Sequence, residues 1–109
     1  MKIKIHPLSV NQCWQGRRFK TPLYESYERE MIYSLPSIKI PTGKLKLSLV
    51  FGFSSKLSDI DNGIKPLLDI LQKKYNFNDK IIYQLNVKKV DTKKGEEYIE
   101  FEVKKLSTS

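Results

Sequence analysis

Leu45-Lys46-Leu47-Ser48-Leu49-Val50-Phe51-Gly52-Phe53 places a large apolar residue at every odd position. Successive side chains of a strand point to opposite faces, so this alternation predicts a half-buried β-strand, the clearest in the chain. After Asn62 the spacing changes. Ile64, Leu67, Leu68, Leu71 and Tyr75 recur at helical intervals and form one stripe, while Pro66 confines the helix start to about a turn upstream. Between strand and helix lies Ser58-Asp59-Ile60-Asp61-Asn62-Gly63-Ile64-Lys65. It sets two acids one residue apart at the mouth of a helix.

Outward from this core the pattern extends both ways. Ile3 and Ile5 alternate with Lys2, Lys4 and His6, which predicts a first strand over residues 2–6. From Pro7 to Lys20 periodicity is lost, and the segment reads as a long polar loop carrying Trp14, Arg17, Arg18 and Lys20. Trp14 beside three cations has two readings, a ring that stacks on a base or an apolar plug that anchors the loop. Thr21-Pro22 suits a helix start, with Leu23, Tyr27 and Met31 four apart and Tyr24 beside them, ending before Pro36. Asn76 to Lys80 reads as a turn, and Tyr83, Leu85 and Val87 alternate within a strand over 81–90. Turn chemistry from Asp91 to Gly95 and a further alternation at Ile99, Phe101 and Val103 predict a terminal hairpin. The order β-α-β-α-β-β implies an α+β fold, two helices on one face of a mixed sheet.

Composition bounds the function. A chain of 109 residues suits one domain spanning 1–109, burying roughly 60–70% of its unfolded surface. Twenty Lys and Arg against 12 Asp and Glu give a net charge of +8, which favours a phosphate-bearing partner. An anionic membrane surface would also attract it, but no apolar run approaches the roughly 20 residues of a spanning helix. The start lacks a signal-peptide pattern, so the cytoplasm is the expected compartment. Cys13 is the only cysteine and His6 the only histidine, which excludes an internal disulfide and a Cys/His zinc site.

The acidic stretch admits two chemistries. Asp and Asn cap helices, and Asp59 to Asn62 can be read that way. Alternatively, if Asp59, Asp61 and Asp79 converge, they offer the hard oxygen ligands that Mg²⁺ prefers, provided the intervening helix returns the chain to the same rim. Asp61, Lys65 and Asp69 are four apart, placing a cation between two acids on one helix face. A calcium-binding EF-hand is excluded by register: with Asp59 first, Ile64 stands where that loop needs Gly and Ile70 where it needs Glu.

Asp59-Ile60-Asp61-Asn62, with Lys65 three positions later, Asp69 on the same helix and Asp79 after it, resembles the RusA family of Holliday-junction resolvases. That family carries a D-[LI]-D-N-x-x-K signature, a helix with a further Asp, and an Asp-containing turn before a β-hairpin. Pro7, Ser9, Asn11 and Trp14 are similar to its Pro-Ser-x-Asn-x-x-Tyr region. The resemblance implies catalytic and metal-binding roles for Asp59, Asp61 and Asp79, a catalytic Lys65, and Mg²⁺ (or Mn²⁺) dependence. It also implies a homodimer that resolves four-way DNA junctions by paired nicks in recombination and repair, of bacterial or phage origin. Two positions depart from the family: Asn78 replaces the first of two adjacent acids, and Lys56 is the only cation where many members carry an Arg-rich run.

Arg17, Arg18, Lys20, Lys56, Lys73, Lys74 and Lys80 flank the stretch in sequence and are the candidate phosphate contacts, each with solvated surface as its alternative. Two rival functions remain at this point: a non-catalytic basic nucleic-acid-binding protein whose acids are caps, and a related nuclease acting on flaps or other branched DNA.

Overall fold

The computed structural model describes residues 2–8, 14–15, 19–56, 59–61 and 63–106. Its strands are β1 (Lys2–Ile3), β2 (Trp14–Gln15), β3 (Phe19–Lys20), β4 (Leu45–Phe53), β5 (Ile82–Asp91) and β6 (Tyr98–Lys105). The helices are α1 (Pro22–Ser34) and α2 (Ile64–Tyr75), and a 3-10 turn spans Asp79–Ile81. The α+β arrangement is as expected: a four-stranded mixed sheet with both helices packed into one core.

β4 is the centre of the sheet, whose order is β1-β6-β4-β5. Its odd residues Leu45, Leu47, Leu49, Phe51 and Phe53 are all buried, and all but Leu45 share one core cluster with residues of both helices. The β4–α2–β5 unit is a crossover, which is why β4 and β5 run parallel. β6 pairs with β4 antiparallel on the other side, from Leu45↔Lys105 to Gly52↔Tyr98.

The expected terminal hairpin is therefore corrected. β5 and β6 follow each other in the chain but do not pair, because β4 lies between them. Their connection crosses the end of β4, where the Thr92 N–H donates to the Phe53 carbonyl at 2.9 Å. The physical reason lies in composition: β4 is the most apolar strand and gains most from two covered edges. β5, with Gln84, Asn86, Lys88 and Lys89, tolerates the outer position. In that outer position Tyr83 is 62% and Leu85 40% exposed, so their alternation does not mark a buried face.

Smaller corrections follow from packing. Strand pairing at the N-terminus is confined to Lys2 and Ile3, which meet Glu100 and Ile99. The segment read as a continuous loop holds a short ladder, Trp14↔Lys20 and Gln15↔Phe19. Helix α1 starts as expected: Thr21 Oγ1 accepts from the Tyr24 N–H at 3.1 Å, with Pro22 in the first turn, a cap worth about 1 kcal/mol. It buries Tyr24, Tyr27 and Met31, whereas Leu23 faces outward at 51% exposure. Helix α2 buries Pro66, Leu67, Ile70 and Leu71; Ile70 belongs to the stripe, and Ile64, Leu68 and Tyr75 form its half-buried flanks. Each fully buried aliphatic side chain contributes about 1.5–3 kcal/mol. Among the described residues no helix is long and apolar enough to cross a membrane.

Candidate active site

The Asp59 to Lys65 stretch is positioned by Gly63. A Cβ there would meet the Phe51 ring at 3.1–3.4 Å, so glycine lets the chain press onto this buried ring of β4 as it enters α2. The acid pair is thereby held just beyond the C-terminal end of a central parallel strand, where open α/β sheets commonly bind ligands. Asp59 and Asp61 are both exposed. The Asp61 carbonyl accepts from the Ile64 N–H at 3.2 Å, so it is the backbone of Asp61 that closes the turn. Gly63 occupies the N-cap position of α2, and the first helical turn holds no acid. The N-cap of α2 has no side-chain cap, and neither Asp59 nor Asp61 occupies that position.

Lys65 projects from the first turn of α2, and its Nζ lies 3.0 Å from Asp69 Oδ1. The cation thus pairs with the following acid, while Asp61 sits in the turn before the helix. The Asp69 hydrogen bond, then its charge, raises the Lys65 pKa above the usual lysine value; slight burial opposes this and the charge of Asp79 adds to it.

Asp79 opens the 3-10 turn after α2, its N–H held at 2.9 Å by Gln72 Oε1, while Gln72 Nε2 donates to the Leu68 carbonyl. Asn78 Oδ1 accepts from the Lys80 N–H at 2.9 Å and caps this turn. An Asp could make the same bond, so the Asn78 departure preserves the local backbone. Leu45 pairs with Ile82 and Phe53 with Asp91, so α2 carries the chain from the C-terminal end of β4 to its N-terminal end. Asp59 and Asp61 precede α2 and Asp79 follows it, with the Asp79 N–H tied back to Gln72 in the helix and its charge felt by Lys65. Among the described residues no three acidic, histidine or cysteine side chains stand together as a metal site. The donor chemistry of the pair alone fits Mg²⁺, which is commonly held by one or two carboxylates plus substrate phosphates and water.

The cations divide. Lys20 Nζ and Lys73 Nζ bind the two oxygens of Glu28 at 2.9 and 2.7 Å, so these candidates for phosphate contact tie β3 and α2 to α1. Burial pushes the Glu28 carboxyl up, but the hydrogen bonds and charges of Lys73 and Lys20 outweigh it and hold the pKa below the usual value. Lys56 and Lys80 are exposed, and Lys74 lies in the last turn of α2. Arg17, Arg18, Cys13 and Asn62 lie outside the described residues, as does the Trp14 side chain on which the stacking and plugging readings turned. Gln72, which anchors Asp79, escaped the sequence reading; its place three residues after Asp69 on the same helix was the available signal.

The chain is thus a basic α+β domain with an exposed acid pair beyond β4 and a lysine in the first turn of the helix that follows. The family model described as Endodeoxyribonuclease RusA matches residues 9–103, and the chain belongs to that family. It is an endodeoxyribonuclease of the Holliday-junction resolvase type, a class that acts on branched DNA junctions. No curated protein matches the chain.

Proposed function

We propose that this endonuclease is a Mg²⁺-dependent homodimer that resolves four-way junctions by paired nicks, in recombination and repair. The observation that carries the reading is the Asp59–Asp61 pair, exposed beyond β4 and not consumed as a helix cap, with Lys65 a turn away. A two-fold junction needs two matching cuts, and a C2 dimer presents two equivalent sites. Asp59 and Asp61 would hold the ion, with Asp79 as the third carboxylate. No third carboxylate stands with the pair among the described residues, so that third ligand is expected from a second copy.

When bound, the ion supplies a water of lowered pKa and neutralises charge developing on the phosphate. The remaining work falls to protein groups. Lys65 offers a positive charge to a phosphate oxygen or to the departing oxygen, an interaction that strengthens as charge develops there. Asp69 orients that lysine through the 3.0 Å contact. Both side chains are already placed before DNA arrives, so little reorganisation is needed.

The test is a labelled four-way junction incubated with and without Mg²⁺, beside Asp61→Asn. Metal-dependent symmetric nicking, lost in the variant, is the expected result. Binding with no cleavage in Mg²⁺ or Mn²⁺ would favour a non-catalytic binding protein, and a preference for flap over junction in direct competition would favour the related-nuclease reading. Asp61→Asn should keep or strengthen junction binding, since removing a negative charge beside phosphate lowers repulsion.

A further inference from the structure

Behind the C-terminal end of α2 lies an open groove of about 700 Å³, distinct from the Asp59–Asp61 turn. Its walls include three aromatic residues from different parts of the chain: Tyr75 at the end of α2, Phe77 in the following turn and Tyr83 on β5. Lys44 and Lys80 stand at the same groove, and none of its lining residues is acidic. In a small domain, three aromatics and two cations around one cleft form a surface complementary to a flat, anionic ligand.

Each ring is held there by a specific device. The Tyr75 hydroxyl donates to the Pro36 carbonyl at 2.7 Å, fixing α2 against the segment that leads into β4. Asn76 adopts a left-handed φ of 53°, which ends the helix and turns Phe77 back against the core edge. Tyr83 is the extra residue of a β-bulge: Leu45 pairs with Ile82 but Lys46 pairs with Gln84, leaving Tyr83 unmatched. Bulges re-aim side chains beside functional sites. Lys44 Nζ sits 4.8 Å from the Tyr83 ring centroid, yet Tyr83 remains 62% exposed. A large exposed aromatic at a bulge contributes little to the core, which makes a ligand the better account of it.

We propose that this groove receives an unpaired nucleotide, its base stacked on Tyr83 and its phosphate met by Lys44 and Lys80. Stacking tolerates any base, so the site reads strand openness rather than sequence. In a branched substrate the nucleotide comes from a strand opened at the branch point; that source rests on the junction-cutting reading above, whereas the groove's preference for single strands does not.

The experiment measures anisotropy of a short labelled thymidine oligonucleotide and of a linear duplex, with wild-type protein, Tyr83→Ala and Tyr83→Phe. The expected result is single-strand binding by the wild type, weakened about tenfold or more in Tyr83→Ala and retained within about threefold in Tyr83→Phe. Duplex affinity should stay within about twofold throughout. No single-strand binding by the wild type, no loss in Tyr83→Ala, or an equal loss on duplex would each overturn the proposal. Circular dichroism of the variants checks the fold, which an exposed edge residue should not disturb. Junction cleavage by the same wild-type preparation separates the two readings: cleavage with single-strand binding indifferent to Tyr83 removes the groove and keeps the nuclease. Tyr83-dependent binding without cleavage keeps the groove and removes the junction as its source.

Discussion

Lys65 Nζ and Asp69 Oδ1 lie 3.0 Å apart across one turn of α2, with side-chain exposures of 64% and 34%. A pair this open to water is worth only about 0.3–0.5 kcal/mol, so its value lies in orientation. The lysine pKa is raised, so any stabilisation is fully present below the unfolded value near 10.5 and is lost as pH rises through the folded one. The ammonium is therefore intact throughout neutral pH. Lys65→Ala should lower single-turnover cleavage by about 10²–10³-fold while junction affinity changes little. Asp69→Asn should cost less cleavage, with a thermal midpoint shifted by no more than about 4 °C.

Among the described residues Asp79 forms no three-acid group with Asp59 and Asp61, which allows a stricter test of the dimer. If each site draws carboxylates from two copies, Asp61→Asn and Asp79→Asn should each be inactive alone. Mixing the two after co-refolding should restore cleavage, because some mixed dimers then hold one site with all its acids intact. Gel assays on a labelled junction read this directly. Continued inactivity of mixed dimers, shown to form by differential tagging, would place all the ligands within one chain.

Which features were readable in the sequence, and which were not, follows from the range of the interactions that set them. The alternation from Leu45 to Phe53 and the stripe from Leu67 to Leu71 are local, and both elements form where expected. The signature from Asp59 to Lys65 is also local, and it led to the correct family. Strand order is not local: periodicity says that Ile99 and Phe101 face inward, but not that β4 stands between them and β5. Glu28 pairs with Lys20 and Lys73 across 8 and 45 residues, a link that nearness in sequence does not reveal. Tyr83 alternates with Leu85 and Val87 in the sequence, where a bulge is invisible to a two-residue period.

Gly52 makes a prediction about the sheet that carries the site. A Cβ at this position would lie 2.5 Å from Tyr98 Cδ1 and 2.9 Å from Thr92 Cγ2, too close for either to remain in place. The Tyr98 ring is also held from outside by Lys2, whose Nζ lies 4.1 Å from its centroid. Gly52→Ala should therefore destabilise the fold by about 1–3 kcal/mol, the usual cost of overpacking. Urea denaturation should show a lower midpoint with an unchanged slope; an unaltered midpoint would mean that Tyr98 moves aside freely.

The crossing between β5 and β6 should be sensitive to acid through Glu97. Its carboxylate accepts from Ser54 Oγ at 2.7 Å and from the Gly95 N–H at 2.8 Å, and His6 Nδ1 lies 3.3 Å away. The Ser54 bond first, then the backbone N–H groups of Glu97 and Gly95 and the His6 contact, lower its pKa to about 2. A depressed carboxyl stabilises the fold above the unfolded value near 4.5, and that contribution is lost as pH falls through the folded value. Wild type and Glu97→Gln should thus differ most in stability at neutral pH. The difference should shrink as pH drops from about 4.5 towards 2, because protonation then gives the wild type the same neutral side chain. Denaturation curves across that window, with the Glu97 carboxyl followed by NMR, measure both quantities. A Glu97 titration near 4.5 would show that the Ser54 and Gly95 contacts do not hold the charged form in solution.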